Sequence, residues 1–146
     1  SFDFVVSNHT VEHLSSPSHQ ELHIAEIARV LRPGGFLYFA VPNRWYPVEN
    51  HYKLPFLALL PPSMASKYMK IFRKGDFYDC LPLSSRLARN LTSRNGFEAR
   101  NGIPDVLKCR WNLDRMPILG TLVSKLLGGL LAPISPTIIL ICQKRI

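Results

Sequence analysis

Phe2-Asp3-Phe4-Val5-Val6-Ser7 and Phe36-Leu37-Tyr38-Phe39-Ala40-Val41 are two nearly continuous apolar runs, and between them Leu22, Ile24, Ile27, Ala28 and Leu31 recur at helical spacing. Such runs, without polar alternation, suit strands buried on both faces, as in a parallel sheet covered by helices. Ser18 with Glu21 predicts a capping box at the start of the helix, and Pro33-Gly34-Gly35 predicts its end. Strand, helix and strand in this order make a right-handed crossover between parallel neighbours. The fold class is therefore α/β.

Downstream, Pro42 to Pro62 is rich in Pro, Asn and aromatic residues and has no clear period, which predicts an ordered insertion over the sheet edge rather than a linker. Ser63 is placed to cap a helix reaching Lys74, with Lys67, Lys70 and Lys74 on one face. A further helix is expected from Ser84 to Asn95, closed by Gly96, followed by a short strand from Phe97 to Asn101. Pro117 to Leu131 reads as an apolar helix stopped by Gly128-Gly129, and Thr137 to Gln143 as a closing strand. The uncharged run from Leu126 to Gln143 reaches the length a bilayer needs, but Pro133 and Pro136 divide it into a helix end and a β-branched strand.

The chain has 146 residues, of which 47% are hydrophobic and 19% charged, so disorder and collagen-like fibre are excluded. Eighteen Lys and Arg against ten Asp and Glu leave +8, which favours an anionic partner without choosing among anionic ligands, membranes and nucleic acids. Cys80, Cys109 and Cys142 are odd in number and form no CxxC pair, so neither a disulfide framework nor a structural zinc knuckle is indicated, and a reducing cytoplasm is the expected location. Ser1 opens directly into a strand-like run with no leader, which suggests a chain cut within a domain.

Two blocks carry a family resemblance: Phe2 to Leu14, which contains Ser7-Asn8-His9-Thr10-Val11-Glu12-His13-Leu14, and Leu31-Arg32-Pro33-Gly34-Gly35-Phe36 through Pro42-Asn43. They resemble the fourth and fifth strands of class I S-adenosylmethionine-dependent methyltransferases of the type 11 kind, whose pattern is FDxVxxxxVxEHL followed by LRPGGxxxxxxPN. Gly96-Phe97-Glu98 is similar to the turn before that family's sixth strand, and Thr137 to Lys144 to its antiparallel last strand. The resemblance implies the C-terminal half of a Rossmann-like sheet, strands 4 to 7, forming one partial domain over residues 1–146, with residues 44–83 as a variable insertion or lid. The family's Gly-rich cofactor loop and its acid after the second strand have no counterpart here, so the missing N-terminal half of the domain is an expected partner, and this piece alone is expected to be inactive.

Ligands of open α/β sheets sit beyond the carboxyl ends of the strands, here Ser7 to His13 and Pro42 to Trp45. The resemblance implies that Ser7, Asn8 and His9 lie beside the methionine part of S-adenosylmethionine. It also sets Glu12 and His13 facing the transferring methyl, where an imidazole can take a proton from a hydroxyl acceptor. In the related ubiquinone-pathway O-methyltransferases a matching Glu-His participates in a metal site, but the further acid of that pattern falls on His9 here, and no metal is assigned. His51, in the aromatic insertion, is a second candidate base beneath a water-excluding lid. Asn43, Arg44 and Trp45 are the substrate-binding candidates, with Arg44 suited to an anionic group. His19 and His23 lie four apart on a helix without a third ligand and are expected to face solvent.

The implied reaction is in-line methyl transfer from a sulfonium to an O, N or C nucleophile of a small-molecule, sugar or lipid-linked acceptor, driven mainly by alignment in a dry pocket. Two alternatives use the same sequence. His9-Thr10-Val11-Glu12-His13 matches the H-x-x-E-H zinc-peptidase signature, with Glu98 as a third ligand, although that chemistry requires a regular helix. Lys67, Lys70, Arg73 and Lys74 suit a peripheral module on an anionic membrane surface, and less well a nucleic-acid binder.

Overall fold

The computed structural model describes residues 1–146, the side chain of Asp114 excepted. A four-stranded sheet has the order β1-β2-β4-β3, built from β1 (Phe2–Asn8), β2 (Leu31–Pro42), β3 (Phe97–Asn101) and β4 (Thr137–Lys144). β1 and β2 run parallel, joined by helix α1 (Pro17–Val30), and β4 is antiparallel to both β2 and β3. The α/β class and the antiparallel last strand agree with the sequence expectation.

One face of the sheet carries the core. Val5 pairs with Leu37 and Ser7 with Phe39, and this face packs Leu37, Phe39, Val41, Leu140 and Cys142 against Ile24 and Ile27 of α1 and against Ala88 and Leu91 of α3 (Ser85–Arg94). The opposite face is covered unevenly. Near β4, helix α4 (Ile103–Arg110) approaches so closely that a Cβ at Gly102 would stand 2.7 Å from the Ile139 side chain. Over β1 the same face is bare, leaving Phe4 55% and Val6 58% exposed. The expectation of a buried first strand is thus corrected: β1 is an edge strand with one face uncovered.

Local chemistry revises several boundaries. Ser16, not Ser18, caps α1, accepting a hydrogen bond from the His19 N–H, because Pro17 fits the first helical turn, where no N–H is needed. Glu21 instead accepts from the Asn95 side chain, and Leu22, counted on the apolar face, is 61% exposed. Helix α2 spans Pro62–Ile71 with Pro61 rather than Ser63 at its cap. Ser84 caps α3 as expected, and Gly96 closes it with φ +81°. The eight-residue α4 was not anticipated.

Gly128-Gly129 does not stop α5 (Pro117–Leu131), which runs through both glycines. Gly120, Ser124 and Gly128 form its buried stripe, and a Cβ at Gly128 would lie 2.6 Å from the Pro104 ring. The small residues permit close helix packing, and the larger side chains Ile118, Leu122, Leu126 and Leu130 are left facing outward. Pro133 and Pro136 separate this helix from β4 as expected. Its own 18-residue stretch, Pro117–Ile134, is nevertheless long and apolar enough to cross a membrane by length and composition alone.

The insertion has its own small core of Leu54, Leu57, Ala65, Met69, Tyr78 and Cys80. It is ordered and packed, as its composition implied. Ala65 and Met69 turn inward from α2, and Met64 and Ile71 face outward.

Candidate functional site

β1 ends at Asn8, and the chain then turns sharply. His9 takes a left-handed backbone, φ +51°, while its N–H donates to the Ala40 carbonyl, and Val11–His13 form a single 3-10 turn. The turn drops Val11 and Glu12 into the interior and leaves His13 near the surface. Glu12 is 0% exposed, and the Leu81 N–H donates to its backbone carbonyl at 2.6 Å, tying the end of the insertion to the strand end.

Three imidazoles converge on this carboxylate. His9 Nδ1 lies 3.3 Å, His51 Nε2 3.5 Å and His13 Nε2 4.0 Å from Glu12 Oε1. The His51 ring meets that of His13 edge-on at 5.1 Å between centroids and that of His9 at 6.0 Å. Neither Glu12 oxygen has a hydrogen-bond donor among the described residues, so the carboxylate depends on its imidazole neighbours for compensation. The three residues named from sequence as catalytic candidates, Glu12, His13 and His51, are therefore brought together, and His9 joins them.

Residues that sequence reasoning missed hold the cluster in place. Glu49, itself buried, accepts from the backbone N–H groups of His51 and Tyr52 at 2.7 and 2.6 Å and so fixes the loop that carries His51. The signal was a carboxylate two residues before the histidine, the local pattern by which an acid captures backbone donors. Thr137 Oγ1 stands 3.4 Å from His9 Nε2. On the outer side, His13 Nδ1 lies 3.8 Å from Cys80 Sγ and 3.7 Å from Asp79 Oδ2. Asp79 accepts a hydrogen bond from the Tyr52 hydroxyl, which holds its carboxyl below the usual range, while burial and then the same hydrogen bond push the Tyr52 phenol up to about 12. Burial, reinforced by the Asp79 carboxylate, pushes the Cys80 thiol up, so it is no ready nucleophile.

The other candidates are distributed around the same end of the sheet. The Ser7 hydroxyl is buried against His23 Nε2 at 3.1 Å, and burial lowers the pKa of that imidazole. His23 is therefore half-buried rather than solvent-facing, and His19 pairs with Ser15. Asn8 is exposed at the strand's end, and its side-chain amide has no partner among the described residues. Asn43 is buried, its amide donating to the Pro133 and Ser135 carbonyls and its oxygen accepting from the Trp45 N–H, so its polar atoms are committed to backbone. Trp45, 66% exposed, lines an open cleft of about 710 Å³ together with Ser84, Arg86, Arg89 and Ile103. Arg44 points elsewhere, to a smaller cleft beside Cys80 and Leu83. Arg86, which sequence reading passed over, also lines the larger cleft; neither it nor Arg89 has an ionic partner among the described residues, but Arg89 donates to the Ala99 carbonyl, whereas Arg86 makes no side-chain hydrogen bond there.

The zinc-peptidase alternative does not survive the backbone. His9 precedes and His13 ends a single 3-10 turn instead of the two lying on one face of a regular helix, and Glu98 is on β3, paired with Arg145 at 3.6 Å.

Comparison with known proteins agrees with the geometry. Residues 1–39 match the model of a family described as a methyltransferase domain. No curated protein sequence matches the chain. Among solved structures, a possible exported protein from Bordetella parapertussis is similar with a TM-score of 0.51 and 11% identity, over 99% of this chain and 39% of that one. A SAM-dependent methyltransferase from Methanosarcina mazei is similar with a TM-score of 0.50 and 15% identity, over 100% of this chain and 60% of that one. The chain thus spans less than two thirds of the length of either structure. The chain is similar to a methyltransferase domain over its first 39 residues, and its fold is similar to part of a SAM-dependent methyltransferase.

Proposed function

We propose that the chain forms the C-terminal part of an S-adenosylmethionine-dependent methyltransferase, with one wall of the cofactor site and most of the acceptor site. The observation that carries this is the buried Glu12 ringed by imidazoles immediately past the carboxyl end of β1, the position at which open α/β sheets bind ligands. The bare face over Phe4 and Val6 is the kind of apolar surface that a covering segment removes from water, which supports a partner half in the same domain.

The residues present fit one side of the cofactor. Asn8, with its unpaired amide, and the backbone of Ser7 and His9 are the groups that would hold its methionine part. When bound, the cofactor supplies an electrophilic methyl on a sulfonium. Everything else falls to the chain. His13, the imidazole nearest solvent, takes the proton of a hydroxyl or amine acceptor, with the Glu12 carboxylate 4.0 Å behind it. His51 roofs the same space from the insertion and keeps water out. An anionic group on the acceptor sits in the cleft lined by Trp45, Arg86 and Arg89, with Arg86 as its counter-ion.

The test is methyl transfer by the gene product containing this chain, assayed against hydroxylated acceptors with and without an anionic group. His13→Gln should lower kcat by about a hundredfold or more if proton transfer is concerted with methyl transfer. Arg86→Ala should raise KM for anionic acceptors alone. Loss of neither parameter would remove these roles.

Helix α5 favours a second reading of where this chemistry happens. Its outward ridge of Ile118, Leu122, Leu126 and Leu130 suits a helix lying in the plane of a membrane, with Lys67, Arg73 and Lys74 available to anionic headgroups and Lys70 beside Asp76. The enzyme would then act on a lipid-linked acceptor from the cytoplasmic side, without a nucleic-acid partner. Co-sedimentation with anionic vesicles, abolished in Leu122→Asp/Leu126→Asp, supports this; equal binding by the variant rejects it.

A further inference from the structure

Glu12 is sealed from water with neither oxygen hydrogen-bonded among the described residues, yet ring nitrogens of two histidines from different parts of the chain stand 3.3 and 3.5 Å from its Oε1. We propose that His9 Nδ1, Glu12 Oε1 and His51 Nε2 form a site for one late first-row divalent metal ion of the zinc class, which fastens the insertion to the end of β1. Bonds of about 2.0–2.1 Å in a tetrahedral arrangement set ligand atoms about 3.3–3.4 Å apart. The two contacts to the carboxylate, 3.3 and 3.5 Å, already have that spacing, and all three donor atoms lie within 4.8 Å of one another. Ion entry therefore requires only a small approach of His51 toward His9.

The donors select the ion. Two imidazole nitrogens and one carboxylate suit zinc, cobalt or nickel, whereas magnesium and calcium prefer oxygen cages. Outer contacts of the kind that orient ligands are also present. Thr137 Oγ1 faces the other nitrogen of His9, and Glu49 anchors the His51 backbone. Glu12 is a ligand here and not a base, so the site differs from that of an H-x-x-E-H peptidase. A second set, His13, His51 and Cys80, shares His51 and thus competes for it. That set would need a thiolate from a buried cysteine, which the surroundings of Cys80 oppose.

Metal binding is independent of methyl transfer, and S-adenosylmethionine binding measured in parallel separates failure of one from failure of the other. The metal-free chain is titrated with cobalt(II), following its visible d–d absorption, and with zinc by calorimetry and by protection of residues 44–83 from protease. One ion per chain is expected, with affinity lowered about a hundredfold or more in Glu12→Gln and in His51→Asn. His19→Ala and Cys80→Ser should bind as the parent does. His51 is partly exposed on a loop, so His51→Asn carries the test if Glu12→Gln does not fold. Absence of a stoichiometric ion overturns the proposal, as does binding that survives both ligand variants. A sulfur-to-cobalt charge-transfer band lost in Cys80→Ser overturns it too, by moving the ion to the competing set.

Discussion

The core beneath the sheet and the junction between insertion and strand ends are held by different forces. Leu37, Phe39, Phe97 and Leu140 fill the first by shape and area, while the second is organised around two buried carboxylates, Glu12 and Glu49. An apolar core tolerates swaps that conserve volume, because dispersion and burial are non-directional. A buried carboxylate tolerates little, since removing a partner leaves an uncompensated group. Stability therefore resides in the sheet, and the proposed chemistry lies where polar groups have been forced inside.

Mutations on the two sides of this divide should behave differently. The largest effect is expected from Phe39→Ala in the core, about 3–5 kcal/mol in denaturant melts, with Phe39→Leu far milder; equal losses would contradict a packing-dominated core. Glu49→Ala should cost less, about 1–3 kcal/mol, and should be local. Protease cleavage within residues 44–83 should accelerate while the β2 and β4 amides keep their exchange protection. A uniform loss of protection would mean that insertion and sheet unfold as one unit.

Smaller effects separate two adjacent glycines on α5. Gly128→Ala drives a Cβ into Pro104, an overpacking cost of about 1–3 kcal/mol partly offset by about 1 kcal/mol of helix propensity. Gly129→Ala meets nothing within 4 Å and should stabilise by about 0.5–1 kcal/mol. Thermal melts that move both variants in the same direction would contradict the packing assigned to α5.

The smallest effect is pH dependence from His23. Burial lowers its pKa from the ordinary 6.5, so the unfolded chain binds the extra proton first, and this contribution to stability is lost as pH falls below that value. His23→Gln should flatten the stability profile there, measured by melts across the acidic range. An unchanged slope would assign the acid sensitivity elsewhere.

Much of the sheet was legible because its signals are local. The apolar runs of β1 and β2, the Ser84 cap and the β-branched β4 each announce themselves within a few residues. Burial of β1 was misread because a strand's apolar content does not say whether anything covers it. Gly128 was misread as a stop because glycine serves close packing as readily as termination. Within the site, Glu12 and His13 were legible from one motif. His51 was named as a second base from its place in the aromatic insertion, but its distance from Glu12 was not legible in a loop without a period, and the captures made by Glu49 and Thr137 exist only once the chain has folded.

The central claim, a cofactor site at the end of β1, is tested most directly by calorimetry of S-adenosylmethionine on the gene product containing this chain, with Asn8→Ala beside it. The account predicts one site, competed by S-adenosylhomocysteine and weakened about tenfold by loss of the unpaired Asn8 amide, roughly one charge-assisted hydrogen bond. Absence of binding, or binding indifferent to Asn8, would contradict it.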